Sequence, residues 1–295
     1  MIVFCGYGNS DLTVNVPALP GPGDRVQALG IRRHDGGMGA NAATAAARMG
    51  ADARFAGVVG PDPLSTAFLD GLRAQGVDVA WTSRRGHLTT AVILVTPDGE
   101  RSVISQDDDI TEDHVAEVVR SLSRAGGGWL YLDGYRFPWA APLLAGAPAL
   151  RTVVDMDGCE SAEAAHAALS VAEHAIIGRA QAERLLGPDA RAAAVSHRTH
   201  LLLTDGARGW RLHTPTGDTR AGAAIAVRVQ DATGAGDCFV GCYLAELERG
   251  AEPVDAARFA AVAAGLSCTA PGARAGLPDR AAVAGYPARG ANGVE

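Results

Sequence analysis

The run Gln230-Asp231-Ala232-Thr233-Gly234-Ala235-Gly236-Asp237-Cys238-Phe239 sets a carboxylate directly after three residues with almost no side chain. Apolar residues at Phe239, Cys242, Tyr243, Leu244 and Leu247 follow helical spacing, which predicts a helix whose first turn is Gly234 to Gly236, entered from a β-rich stretch at Ile225 to Val229. Amides in a first helical turn lack internal acceptors and carry the positive end of the helix dipole. Gly234, Ala235 and Gly236 would let an anion such as a phosphoryl group approach the backbone closely. Asp237 would stand beside that anion, and two negative groups facing each other across a transferable proton suggest a general base. Simple helix capping is the competing explanation of the same residues.

A second Gly-rich stretch, Asp35-Gly36-Gly37-Met38-Gly39-Ala40-Asn41, opens a helix built on Ala42, Ala45, Ala46 and Met49. Small residues allow tight packing and let a ligand reach the backbone, while Asn41 can both donate and accept, as recognition of a polyol requires. A loop that merely needs flexible residues would look the same. Further candidates are weaker. Gly6-Tyr7-Gly8-Asn9 lacks the third glycine of a dinucleotide fingerprint, Asp107-Asp108-Asp109 lacks EF-hand spacing, and the eight histidines show no metal-site spacing. Asp133-Gly134-Tyr135 follows a buried-type strand at its carboxyl end, where open α/β sheets bind ligands.

The elements that must position these residues alternate. Strands are expected at Ile2 to Cys5, Arg54 to Val59, Trp129 to Leu132, Thr152 to Asp155, Ala175 to Ile177 and Leu201 to Thr204. Helices are expected at Ala40 to Met49, Ser65 to Gln75, Glu112 to Arg124, Pro138 to Ala145, Ala162 to Val171, Ala180 to Leu186 and Ala190 to His197. That order predicts an α/β fold with a mainly parallel central sheet flanked by helices on both faces. Asp11 to Gly36 and Thr89 to Gln106 break the pattern; the second holds Pro97-Asp98-Gly99 between the alternating strands Ala91 to Thr96 and Arg101 to Ser105, so both suit a small β-sheet lid. One domain over 1–285, carrying lid segments at about 11–36 and 89–106, with a flexible tail over 286–295, is expected. The formal net charge of −7 disfavours a nucleic-acid surface, and no run approaches the ~18 apolar residues of a membrane span. Five cysteines without a C-x-x-C pair suit buried reduced thiols, and a cytoplasmic location is expected.

The two Gly-rich segments together resemble the signatures of the ribokinase-like (PfkB) carbohydrate kinases. The N-terminal resemblance continues through Gly57-Val58-Val59-Gly60-Pro61-Asp62 and Leu72-Arg73-Ala74-Gln75-Gly76-Val77; the C-terminal one is the Asp231 to Asp237 run, usually D-T-x-G-A-G-D. The resemblance implies transfer of the γ-phosphate of ATP to a sugar hydroxyl, with Asp237 as catalytic base and the Gly234, Ala235 and Gly236 amides as anion hole. It implies substrate contacts from Asp11, Gly36, Gly37 and Asn41. Nucleotide contacts would come from Thr204, Gly206 and Gly209 in a T-x-G-x-x-G turn, from Thr233, Gly234 and Gly236, and from Cys268 in the loop near the adenine. Mg²⁺ would accompany ATP, a monovalent cation such as K⁺ would lie near Asp231, and a homodimer would form through the lid.

Departures narrow the choice. The family's N-x-x-E motif should fall at Gly178 to Gln181, and neither key residue is there; Met38 stands where ribokinases carry Lys, and Ala232 replaces the usual Thr. The stretch from Arg258 to Pro278 is similar to a branch containing sulfofructose kinase and related to ketohexokinases, which points to a ketose or modified hexose. Arg32, Arg33, Arg136 and Arg179 are candidates to meet an anionic group on such a substrate. A nucleoside kinase of the same fold, for which aromatic residues should line the lid, and a catalytically silent sugar- or nucleotide-binding regulator are the alternatives.

Overall fold

The computed structural model describes residues 1–98 and 100–287. Gly99 of the expected turn and residues 288–295 of the expected tail lie outside the described residues. The chain runs through β1 (Ile2–Cys5), β2 (Asn9–Asn15), β3 (Gly30–Gly36), α1 (Met38–Arg48), β4 (Ala53–Phe55), α2 (Pro63–Ala74), β5 (Thr89–Val95) and β6 (Arg101–Ser105). It then alternates through α3 (Glu112–Arg124), β7 (Trp129–Asp133), α4 (Ala141–Ala145), β8 (Arg151–Asp155), α5 (Ala162–Leu169), β9 (His174–Gly178), α6 (Arg179–Leu186), α7 (Ala190–His197) and β10 (His200–Thr204). The hairpin β11 (Trp210–His213) and β12 (Thr219–Gly222) leads to α8 (Ala235–Glu248), α9 (Pro253–Ser267) and α10 (Arg280–Ala284).

Eight strands form the main sheet in the order β12-β11-β10-β9-β8-β7-β1-β4, parallel from β10 to β4. Neighbouring side chains on each parallel strand enter different cores. Ile2 and Phe4 join α1, α2, α8 and α9 on one face, while Val3 and Cys5 join α3, α5, α6 and α7 on the other. This two-sided burial explains why the strands read as unbroken apolar runs. A second sheet, ordered β3-β2-β5-β6, is formed by the two segments that break the alternation; β2 runs antiparallel to β3 but parallel to β5. No helix among the described residues is long and apolar enough to cross a membrane.

Several elements differ from the sequence reading. Ile225 to Val229 pairs with no strand among the described residues, and Ile225 seats against the Gly265 position of α9; the β11–β12 hairpin extends the sheet instead. The strand expected at Arg54 to Val59 stops at Phe55, whose ring lies against Gly57, and resumes only as an isolated bridge between Val58 and Ser83. The helix expected from Pro138 begins at Ala141. A short helix not expected from the sequence follows Pro278: Asp279 caps α10 by accepting from Ala282 N at 2.8 Å, and Arg280 pairs with Glu246.

Candidate active site

The main sheet brings Gly6 and Tyr7 after β1, Asp133 at the end of β7, Asp155 at the end of β8, Gly178 at the end of β9 and Thr204 at the end of β10 to one rim. Ligands of open α/β sheets bind at that carboxyl rim. Helix α8 delivers Asp237 there. Its packing against α1 depends on small residues: a Cβ on Gly241 would collide with Ala42 O and lie 2.8 Å from Ala45 Cβ. This close approach sets the head of α1 against the head of α8, and Asn41 Nδ2 donates to Asp237 Oδ2 at 2.8 Å.

Asp237 keeps part of its surface open, yet its carboxyl lies deep among protein atoms. Burial is the main cause that lifts its pKa to about 6; Asp157 and Asp133 add to the rise, while the Asn41 hydrogen bond and Arg274 oppose it. At pH 7 the ionised form therefore outnumbers the protonated one by about ten to one. Gly234 caps α8 in the left-handed region (φ 74°), where a side chain would also meet Ala273 Cβ at 2.6 Å. A Cβ on Gly236 would meet nothing within 4 Å among the described residues, so packing does not require a glycine there. Among the described residues the Gly234 and Gly236 amides have no backbone acceptor, whereas Ala235 N donates to Ala232 O at 3.2 Å.

Asp11, Gly36, Gly37 and Asn41 come together at the base of the small sheet. A Cβ on Gly36 would lie 3.0 Å from Asp11 Oδ2, and one on Gly37 (φ 94°) would lie 2.6 Å from Gly8 Cα and Tyr7 O. The glycines of Gly6-Tyr7-Gly8-Asn9 thus serve this crossing of chains. Burial raises the Asp11 pKa, against a hydrogen bond from Asn9 Nδ2 at 3.0 Å.

The nucleotide candidates form a second group. Thr204 ends β10, Asp205 N donates to Gly209 O at 2.8 Å, and Gly209 (φ 98°) turns back beneath Gly222. Cys268 is buried; its carbonyl accepts from Gln230 N at 2.8 Å and Asp231 N at 3.3 Å, joining the two loops. Asp231 Oδ1 accepts from Thr233 N (2.9 Å) and Thr233 Oγ1 (2.6 Å), and Oδ2 from Gly272 N (2.8 Å). Although burial works the other way, these bonds hold its pKa below the ordinary carboxylate value. Both oxygens of Asp231 are thereby committed to tying the loops together.

Two of the four candidate arginines are paired elsewhere, and the other two lie on the small sheet. Arg136 is 5% exposed and held by Asp133 Oδ1 (2.8 Å) and both oxygens of Asp108 (2.9 and 2.6 Å), so its charge is already neutralised. Arg179 pairs with Glu183 at 2.9 Å and Asp205 at 3.2 Å. Arg32 and Arg33 lie on β3, where Arg33 donates to Ser10 Oγ at 2.9 Å. Two of the three aspartates after β6 are likewise structural: Asp109 binds His87 and Asp108 binds Arg136. All five cysteines are free and buried.

Arg274, Asp157 and Tyr131, not singled out in the sequence, join Tyr7 and Tyr135 at the site. Arg274 reaches Asn41 Oδ1 and Gly36 O. Tyr7 and Tyr135 form an edge-to-face pair with ring centroids 6.0 Å apart. Asp157 stands where the N-x-x-E motif would begin: Gly178 N donates to its Oδ1 at 2.7 Å, and Gln181 Nε2 turns away to Cys159 O at 2.8 Å. Burial raises the pKa of both Asp155 and Asp157. The Tyr131 hydroxyl, fully buried and under the influence of Asp155, Asp133 and Asp237, has no hydrogen-bond partner among the described residues. Among the described residues no three metal-ligating side chains converge. Hard carboxylates beside an unpartnered hydroxyl nevertheless suit Mg²⁺, which takes one or two carboxylates together with water and phosphate oxygens.

A parallel sheet between helices, a second small sheet and a Gly-flanked aspartate at a helix head define a small-molecule phosphotransferase. The sequence pattern of the pfkB family carbohydrate kinases matches residues 1–280, and the chain belongs to that family of ATP-dependent sugar kinases. It is 26% identical to a ribokinase of Bacillus subtilis (strain 168), over 95% of this chain and 96% of the relative. Its fold is similar to that of Arabidopsis thaliana ribokinase complexed with ribose and ATP (TM-score 0.82, 23% identity, covering 96% and 97% of the two chains). It also resembles a Burkholderia thailandensis nucleoside kinase in complex with inosine (TM-score 0.79, 22% identity, covering 96% and 94%).

Proposed function

We propose that the chain moves the γ-phosphate of ATP to a hydroxyl of a ketose or modified hexose, with Asp237 as general base. The observation that carries this is the Asn41–Asp237 pair: a carboxylate that is ionised at neutral pH yet basic enough to take a proton, held by one oxygen at a glycine-flanked helix head. Asp237 would accept the hydroxyl proton on its other oxygen while the Gly234 and Gly236 amides stabilise charge on the transferring group. Asp11, Gly36, Gly37 and Asn41 would bind the sugar's hydroxyls. Thr204, Gly206, Gly209, Thr233 and the Cys268 loop would hold the nucleotide. Mg²⁺ would be held by the nucleotide phosphates with Asp157 and Asp155, and would neutralise phosphate charge. For K⁺, Asp231 supports a loop-tying role better than ligation. Absence of the ribokinase lysine, with Met38 in its place, supports a ketose over ribose, although the relatives named above include a ribokinase.

The domain would span about 1–285 with its lid segments at 11–36 and 89–106. Exposed Leu29, Ile31, Val103 and Ile104 on and beside the outer strands support a homodimer through that small sheet. The Tyr7–Tyr135 pair beside the aspartates favours a second reading, a nucleoside acceptor stacked on an aromatic ring. An ADP-release assay with Mg-ATP over D-ribose, D-fructose, sulfofructose and nucleosides distinguishes them. Asp237→Asn should lower turnover by more than ~10²-fold with ATP affinity nearly intact, and undiminished turnover in that variant sinks the assignment.

A further inference from the structure

Arg274 extends from the loop between α9 and α10 to the head of α1. Its Nε donates to Asn41 Oδ1 at 2.8 Å, its Nη2 to Gly36 O at 2.9 Å, and its Nη1 lies 3.9 Å from Asp35 Oδ2. The guanidinium sits 5.2 Å from the Phe68 ring centroid, and 14% of the side chain is exposed. Asn41 passes the interaction on, Nδ2 donating to Asp237 Oδ2. A guanidinium has only donors and an ionised carboxylate only acceptors. An amide between the two is satisfied in one orientation alone, so each end specifies the other.

We propose that Arg274 is a positioning residue for phosphoryl transfer: it locks the Asn41 amide so that Nδ2 anchors Asp237 Oδ2 and leaves Asp237 Oδ1 for the acceptor hydroxyl. The proposal rests on the reading of Asp237 as base. Without Arg274 the amide can turn its oxygen toward the carboxylate, and the anchor becomes a repulsion. The charged and titratable groups facing Asp237 from the other elements are Asp157 and Asp155 after and on β8, Asp133 on β7, and the hydroxyls of Tyr131 and Tyr7. Arg136 is spent on Asp133, and Arg274 is the cation that counters the rise of the Asp237 pKa, so it contributes both a hydrogen bond and a charge. Its loop is anchored independently through Gly272 N to Asp231, so a substitution at 274 need not displace the loop.

The test compares wild type with Arg274→Met, Arg274→Gln, Arg274→Lys and Asp237→Asn. Turnover with Mg-ATP and whichever of D-ribose or D-fructose wild type phosphorylates faster is followed from pH 5 to 8, with the melting temperature of each variant. In parallel, the Asp237 carboxyl is titrated by NMR in protein labelled with ¹³C-aspartate, its signal identified by loss in Asp237→Asn; this arm needs no substrate. Arg274→Met should lower kcat about 10- to 100-fold, leave KM for ATP within about twofold, and move the acid limb and the Asp237 titration to higher pH. Arg274→Gln, which can still donate to Asn41 Oδ1, should recover kcat but not the position of the limb, and Arg274→Lys should recover the limb in part. Wild-type kcat and titration in Arg274→Met, or a loss of kcat that follows melting temperature while the titration stays put, overturns the proposal. Turnover retained in Asp237→Asn refutes the base assignment itself, whereas loss there beside a normal Arg274→Met refutes only the positioning role.

Discussion

Gly241→Ala adds one methyl at the point where α8 crosses α1. The new carbon would collide with the Ala42 carbonyl and sit 2.8 Å from Ala45 Cβ, against about 3.5–4.0 Å for carbon atoms at rest, so the helices must part by about 1 Å. Both neighbours are backbone or Cβ and cannot rotate away. Overpacking of this kind costs about 1–3 kcal/mol, offset by up to ~1 kcal/mol from the better helix propensity of alanine, so the melting temperature should fall by only a few degrees. Activity should suffer more. Asn41 and Asp237 ride on the two separating helices and their hydrogen bond is 2.8 Å long; a further 1 Å breaks it, and misplacement on that scale costs about 10²-fold in rate. Differential scanning calorimetry beside ADP-release kinetics measures both. A variant with near-normal melting and near-normal kcat would show that the site does not depend on the α1–α8 spacing.

At the opposite end of the sheet His174 is 2% exposed, stacked on His200 at 4.5 Å and hydrogen-bonded to the Tyr243 hydroxyl at 2.8 Å; burial pulls its pKa from 6.5 down to about 4. Protonation then favours the unfolded chain, so this contribution is complete above pH ~6.5 and is lost as pH falls toward 4, about 2 kcal/mol between pH 7 and 5. Urea unfolding at the two pH values should show a smaller difference in His174→Phe, and equal differences refute the assignment. Arg136→Met leaves Asp133 and Asp108 without their counter-charge and should cost about 3–5 kcal/mol in urea unfolding. A variant as stable as wild type would mean that the two carboxylates simply take up protons.

Much of the site was legible because its signals are local. Helical spacing from Phe239 to Leu247 and the glycines before Asp237 place a carboxylate at a helix head whatever lies around it. The pairing of Asn41 with Asp237 was not visible, because the two are 196 residues apart and meet only through the small-residue crossing of α1 and α8. The same holds for Arg274, which reads as one more loop residue, and for Asp157, which follows the strand neighbouring the one where the missing motif should stand. Arg136 failed as an anion-binding candidate for the converse reason: a charge looks free in sequence until its carboxylates, 3 and 28 residues away, fold onto it.

Periodicity and glycine placement by themselves determined the class of fold, the strands β1, β7, β8, β9 and β10 and the place of Asp237 at a helix head, since these depend on residues within a few positions of one another. Tertiary structure alone decided which charges are spent on each other, that the sheet grows by the β11–β12 hairpin while Ile225 seats against α9, and that burial lifts the pKa of Asp237 to about 6. Those outcomes depend on burial and on distances between segments far apart in the chain, and desolvation and pairing across such distances leave no pattern in the order of residues.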